Sequence, residues 1–234
     1  MNKEEIFSLS LDIGQEIIKS GGEIHRAKDT ILRINRAYDN DVKIFALPNL
    51  IIGWCEGKVQ LRQIENETTD LSEIARLNDF SRRLCFENNE EVNITRKKVY
   101  SKFWDIAAVA SATSSFCLFF GGTITDALFS ALIGMLITFS GYKKINLPIF
   151  SSNLIDSFIS GFLAHIPKII GADVHPDKII IGTIMLLVPG LTVVNAMRDM
   201  MSGDFISGFV ELLNAVMSAL AIAFGIAGAI MIFS

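Results

Sequence analysis

The stretch "LVPGLTVVNAMRDMMSGDF", Leu187 to Phe205, decides how the apolar half of this chain is read. It continues a run apolar enough to cross a bilayer, yet it carries a Pro-Gly pair, an asparagine, an arginine and two aspartates. Pro189 lacks an amide proton and disturbs the carbonyl four residues back, near Met185, while Gly190 tolerates unusual backbone angles. Together they open a helix within the bilayer. Lipid tolerates such an opening only where the freed backbone groups face protein or water. Broken spans of this kind hold substrate and coupling ions in secondary transporters; a plain proline kink is the alternative.

The surrounding composition supports the membrane reading. Half of the 234 residues are apolar, and 33 of the 46 Asp, Glu, Lys and Arg residues lie in positions 1 to 103. The chain therefore joins two materials near Phe103: a small cytosolic α+β domain, 1–103, and a transmembrane domain, 104–234. A net charge of −4 without a long basic tract argues against nucleic acid as a partner. Cys55, Cys85 and Cys117 have no metal-ligand or redox spacing, which fits free thiols in a reducing compartment and no metal site. The opening "MNKEEIFSLSLDIGQEII" is charged and amphipathic and lacks a signal-peptide core, which keeps the amino end in the cytosol.

In the first domain, Ile6, Leu9, Ile13 and Ile17 recur at helical spacing and Gly21-Gly22 supplies a stop. A second helix follows at once, with Ile24, Ala27, Ile31 and Ile34 on one face. "VKIFAL", "NLIIGWC" and "KVQLRQIE", separated by Pro48-Asn49 and Glu56-Gly57, read as three antiparallel strands. Asp70 with Glu73 makes a capping-box-like start to a third helix. Glu23, His25 and Arg26, at the opening of the second helix, form the chemically suggestive cluster of this domain. One reading is general acid–base chemistry in a membrane-anchored enzyme. The other gives Glu23 to the helix amino end and leaves His25 and Arg26 as polar surface groups; no nucleophile or phosphate loop stands at a recognised spacing nearby. Asn66-Glu67-Thr68 and Asn93-Ile94-Thr95 match a glycosylation pattern by chance in a cytosolic segment.

The second domain reads as five membrane spans: from Trp104, Asp126–Ser140, Ile149–Ile170, Lys178–Ala196 and Ile206–Phe233. A bundle of core helices in a soluble protein is the competing reading. Arg96, Lys97, Lys98 and Lys102 precede the first span, Lys143 and Lys144 follow the second, and Arg198 follows the fourth. Only Lys168 and Lys178 fall on the other side, so the amino end is cytoplasmic and the carboxyl end outside. Small residues four apart in the last span, Ala215, Ala219, Ala223 and Ala221, Gly225, Ala229, let helices approach closely in lipid. Ionisable and amide groups at membrane depth mark substrate or ion paths: Asp126, Asn153, Asp156, His165, Asn195, Arg198, Asp199, Glu211 and Asn214, with the Pro189-Gly190 break. Asp126, Arg198 and Asp199 serve equally well as end caps at the water interface.

These residues also carry a family resemblance. "LVPGLTVVNAMRDMMSGDFISGF" resembles the signature of the bacterial threonine/serine exporter family, at Pro189, Gly190, Asn195, Arg198, Asp199, Ser202, Gly203 and Asp204. "SGGEIHRAKDTI" is similar to its amino-terminal motif (Gly22, Glu23, Arg26), and "FFGGTITDALFSALIG" to its first-hairpin segment (Gly121, Gly122, Asp126). The resemblance implies an inner-membrane exporter with a cytosolic amino domain. It is similar to the split form, in which the larger subunit works with a small integral-membrane partner, a pair associated with succinate as well as amino-acid export. A secondary transporter subunit follows, moving a threonine- or serine-like amino acid by proton coupling, with a C4-dicarboxylate as the alternative substrate. A homo-oligomer and a non-transporting regulatory subunit are compatible with the same residues. No Walker loop or other cofactor motif is present, so the reading includes no cofactor and no catalytic residue.

Overall fold

Helix α1, Lys3–Lys19, ends where the sequence places its stop. Gly21 takes a φ of +80°, and the Gly22 amide donates back to the Ile17 carbonyl. A left-handed residue closes a helix in this way with least strain when it is glycine. The same corner recurs at Gly121, Gly171 and Gly203, where the next amide reaches the carbonyl five residues back. Each corner turns one helix directly toward the next. The computed structural model describes residues 2–65, 69–86, 101–141 and 147–233. Asn66-Glu67-Thr68, Asn93-Ile94-Thr95, Arg96, Lys97, Lys98, Lys143 and Lys144 lie outside the described residues.

The chain divides into two units, Met1–Lys97 with Leu191–Leu213, and Lys98–Gly190 with Asn214–Ser234. The first unit contains α1, α2 (Ile24–Ala37), β1 (Val42–Leu47), β2 (Leu50–Cys55), β3 (Lys58–Gln63) and α3 (Leu71–Phe86). The strands form an antiparallel sheet in the order β1-β2-β3, as the alternation and turns predict. Its core is built from large side chains, among them Phe7, Leu11, Ile13, Ile17, Ile31, Ile51, Leu77 and Leu84. Phe7 packs so close to Gly53 that a Cβ there would lie 2.8 Å from its ring, so the glycine lets α1 approach β2. The capping box at α3 is half formed: Asp70 accepts the Glu73 amide, but the Asp70 amide donates to the Ser20 carbonyl instead of to Glu73. Glu73 turns to Arg76. A segment from far downstream, Leu191–Leu213, completes this unit, which a single boundary at residue 103 does not anticipate.

The second unit holds α4 (Lys102–Phe119), α5 (Ile124–Gly141), α6 (Ile149–Ile169), α7 (Pro176–Ile184) and the later part of α9 (Phe205–Phe233). Among the described residues, α6 and α9 are the two helices long and apolar enough to cross a membrane. The apolar run of α5 is shorter. The expected fourth span, Lys178–Ala196, is not one helix. It breaks into α7 and α8 (Gly190–Met201), with Met185–Pro189 between them outside any helix. Proline at 189 has no amide to continue the ladder, and its ring conflicts with the carbonyl four residues earlier. Of the two small-residue series in α9, Ala221, Gly225 and Ala229 are buried, whereas Ala219 and Ala223 of the other face outward. A Cβ on Gly225 would lie 2.1 Å from Ser157 Oγ and 2.5 Å from the Leu154 carbonyl of α6. Small residues thus bring the two backbones together.

Candidate functional site

The α1–α2 corner and helix α8, about 175 residues apart in sequence, meet within the first unit through polar groups. Helix α2 begins with Glu23 at its N-cap, yet no side chain of its own caps it. Asp199 of α8 does so from outside. Its carboxylate accepts the Ile24 amide at 3.3 Å and the His25 amide at 3.0 Å, and it is fully buried. Two of the orphan donors of a helix start, with the positive end of the dipole, are thereby satisfied by a remote anion. Burial pushes the Asp199 carboxyl above its ordinary range, and the nearby charges of Glu23 and Asp204 push the same way. The two amides pull it down.

Three further contacts strengthen the junction. Asn195 Nδ2 donates to the Gly21 carbonyl at 3.1 Å, and Arg198 pairs with Glu23. Lys28 pairs with Asp204 at 2.9 Å. His25 stands between two carboxylates, with Nε2 3.3 Å from Asp29 and Nδ1 3.5 Å from Asp204. The two sequence motifs singled out above, around Glu23-His25-Arg26 and around Asn195-Arg198-Asp199, are thus one constellation. Beside it opens a cleft of about 370 Å³, bounded by the Gly21-Gly22 corner, by Arg26, by Ile74 and Asn78 of α3, and by Leu191 and Arg198 of α8.

The remaining candidates lie elsewhere. In the second unit, Asp126 is fully buried at the start of α5. It accepts the Thr123 amide while its own amide donates to Thr123 Oγ1, a reciprocal cap. Its other oxygen accepts the His175 amide at 2.8 Å, so one carboxylate serves the starts of α5 and α7. Asn153 Nδ2 donates to Ser218 Oγ at 2.8 Å, linking α6 to α9. Asp156 is buried two turns into α6, within 3.3 Å of Ser152 Oγ. His165 stacks on Phe233 and bonds the Gly161 carbonyl through Nδ1. Pro189 and Gly190 stand at the break before α8. Glu211 is half-buried and Asn214 exposed on α9. Among the described residues, no cluster of three or more His, Cys, Asp or Glu side chains suits a metal ion.

Sequence reading did not single out Lys28, Asp29, Asn78, Thr123, His175 or Ser218. Thr123 and Asp126 carried a local signal, the Thr-x-x-Asp spacing of a capping box. The partners of Asp199 carried none, because nothing in the spacing of α8 points to a helix 175 residues upstream.

The family model described as "Putative threonine/serine exporter" matches residues 8–233. A protein of Schizosaccharomyces pombe, described as uncharacterized, is 29% identical over 175 residues. The match covers 68% of this chain and 21% of the relative, so the chain spans a small part of that protein's length. No solved structure matches.

Proposed function

The chain belongs to the threonine/serine exporter family, and from that premise we propose that it is a secondary-transporter subunit moving a threonine- or serine-like amino acid out of a bacterial cell across the inner membrane. The observation that carries this reading is the opened backbone at Met185–Pro189, between two helices too short to cross alone. At roughly 1.5 Å per residue, the nine residues of α7 reach about 14 Å, under half of a hydrocarbon core of about 30 Å. The Met185, Leu187 and Gly190 amides bond back within the turn; what an interruption of this kind offers a small charged solute is backbone carbonyls no longer tied into a helical ladder.

In this reading five segments cross: α4, α5, α6, α7 with the opened stretch to Pro189, and α9, while α8 packs with the cytosolic unit. Residues 1–103 stay in the cytosol, and the chain ends outside. Asp156, buried two turns into α6, carries the coupling proton or meets the substrate ammonium. Arg198, the cation best suited to a dicarboxylate, is already engaged by Glu23, which favours the amino acid over succinate. The small membrane partner follows from the resemblance to the split form.

Efflux from preloaded vesicles tests the reading directly. The chain is reconstituted alone and with the small partner, and labelled threonine, serine and succinate are followed under an imposed proton gradient. Threonine or serine flux that loses its proton dependence in Asp156→Asn is the expected result. If no solute moves in either preparation, with folded protein verified, the transporter reading fails in favour of a regulatory or enzymatic subunit.

A further inference from the structure

The first unit contains a feature that a transport path through apolar helices does not need. The cleft beside the α1–α2 corner holds both signs of charge together with two amides and an apolar wall. Arg26 is exposed, and its guanidinium makes no ion pair or hydrogen bond among the described residues. Glu23 stands three residues earlier on the same helix start, about 5–6 Å away at the Cβ atoms. Its carboxylate is held and oriented by Arg198. The Asn78 amide faces the same cleft from α3, and Leu191 with Ile74 supplies apolar surface. Asp199 adds no free charge here, because its carboxylate is spent on the α2 amides.

A volume of about 370 Å³ lies at the small end of the roughly 300–1,000 Å³ typical of ligand sites. It suits a metabolite of a few heavy atoms and not a nucleotide. One available guanidinium and one oriented carboxylate, side by side, match a zwitterion. A dicarboxylate would need a second cation, and freeing Arg198 would leave Glu23 unpaired.

We propose that this cleft is a binding site for a free α-amino acid, with the ligand carboxylate on Arg26, its ammonium on Glu23 and its side chain against Leu191 and Ile74. The amino-acid identity rests on the exporter reading above; the geometry by itself specifies a small zwitterion. Arg198 acts as a positioning residue, since it orients Glu23. Occupation of the cleft also reports on α8, because Asn195 and Arg198 of that helix contribute to its wall. The site lets the cytosolic unit register the concentration of the solute to be exported.

The test is equilibrium binding of labelled threonine to the full chain in detergent, with succinate, threonine methyl ester and N-acetylthreonine as competitors. Threonine and serine bind and compete; the ester, the N-acetyl compound and succinate do not. Arg26→Gln weakens binding at least about tenfold, the loss expected for one charge-assisted contact, and Asn78→Leu weakens it less. Arg26→Lys recovers part of the loss. Tryptophan fluorescence and size-exclusion profiles check that the variants fold, Arg26 being exposed and Asn78 half-buried. Threonine binding that survives Arg26→Gln unchanged, succinate that competes equally, or no threonine binding at all would overturn the proposal. Arg26-dependent binding without vesicle flux would retain the site and sink the transporter reading. Flux accompanied by binding indifferent to Arg26 would do the reverse.

Discussion

In the first unit, Leu11, Ile13, Ile17, Ile24, Ile31 and Ile34 are all fully buried, and the charged side chains that go inside with them, Glu73 and Asp199, are paired with Arg76 and with the α2 amides. In the second, the fully buried residues are mostly small or hydroxylated: Thr113, Ser130, Ser157, Ser160, Ala164, Ala221 and Ala229. There many large apolar side chains point out, with Leu128 62%, Leu132 51% and Leu136 56% exposed along one stripe of α5, and a small cluster around Ile133, Ile179 and Ile180 stays inside. One chain thus packs by two rules. Water drives large side chains inward, at roughly 25 cal/mol per Å² of apolar surface removed. Lipid gives no such drive, and helices then associate through small residues that allow close backbone contact. The hydroxyls fit the second rule as well. Thr113, Ser114, Ser115, Thr138 and Ser157 each donate to the carbonyl four residues back, which satisfies them without water.

The sharpest way to break this contrast is to enlarge the buried seam of the second unit. Gly225→Leu drives a side chain into Ser157 and the Leu154 carbonyl, where even a Cβ has no room. Overpacking of this kind costs about 1–3 kcal/mol and more where backbone blocks relief. No monodisperse protein is expected on size exclusion in detergent; a normal profile would refute the α6–α9 seam. The opposite operation belongs to the first unit. Ile31→Ala should cost about 2–5 kcal/mol, read as a shifted denaturation midpoint from Trp54 in a Trp104→Phe background. Next in size is Leu132→Lys, in the middle of α5, with a penalty of roughly 2.5–3.5 kcal/mol in a bilayer. Reduced insertion into microsomal membranes measures it, and undiminished insertion would count against a lipid-facing stripe.

The junction of α2 and α8 gives a smaller effect with a sign of its own. Asp199→Ala removes two charge-assisted bonds from a buried helix start and should cost about 2 kcal/mol in the same denaturation assay. Asp199→Asn keeps an acceptor and should cost less. Burial raises the folded pKa of Asp199 above its ordinary 3.8, so the folded state binds the proton more readily than the unfolded chain. The stabilisation from that proton is fully present below the unfolded value and is lost as pH rises through the folded one. Relative to Asp199→Asn, the native chain should therefore gain stability as pH falls across that window. A difference that moves the other way would mean that the amides outweigh burial.

Local features of the fold were legible where one stretch of sequence decides them. The Gly21-Gly22 corner, the periodic face of Ile24, Ala27, Ile31 and Ile34, the three strands and the break at Pro189 each follow from neighbours within a few residues. The candidate site was legible in its members but not in its assembly. Glu23, Arg26, Asn195, Arg198 and Asp199 stood out as polar groups in two motifs, yet spacing along each helix says nothing about a cap supplied from another. For the same reason the second half-helix of the broken span reads as membrane from composition, while its Asn195, Arg198 and Asp199 bond to the α1–α2 corner. An apolar count weighs residues singly, whereas the partner of a polar one is set by tertiary packing.

The smallest expected effect tests whether exposure means the same thing in both units. Leu61 is 58% exposed on β3, an edge strand, comparable to Leu132 at 51% on α5. If the outer sheet face meets water, Leu61→Lys should alter stability by no more than about 0.5 kcal/mol, since an edge lysine is well solvated. Its register partner Ile52 and the neighbouring Phe45 and Trp54 would be left with slightly less apolar contact. The same substitution at Leu132 is expected to be several times more costly, although the two leucines are about equally exposed. The solvent, not the accessible area, then accounts for the difference. A Leu61→Lys penalty as large as that of Leu132→Lys would mean that the sheet face is covered by something apolar, and the division of the chain into a wet and a lipid-facing unit would have to be redrawn.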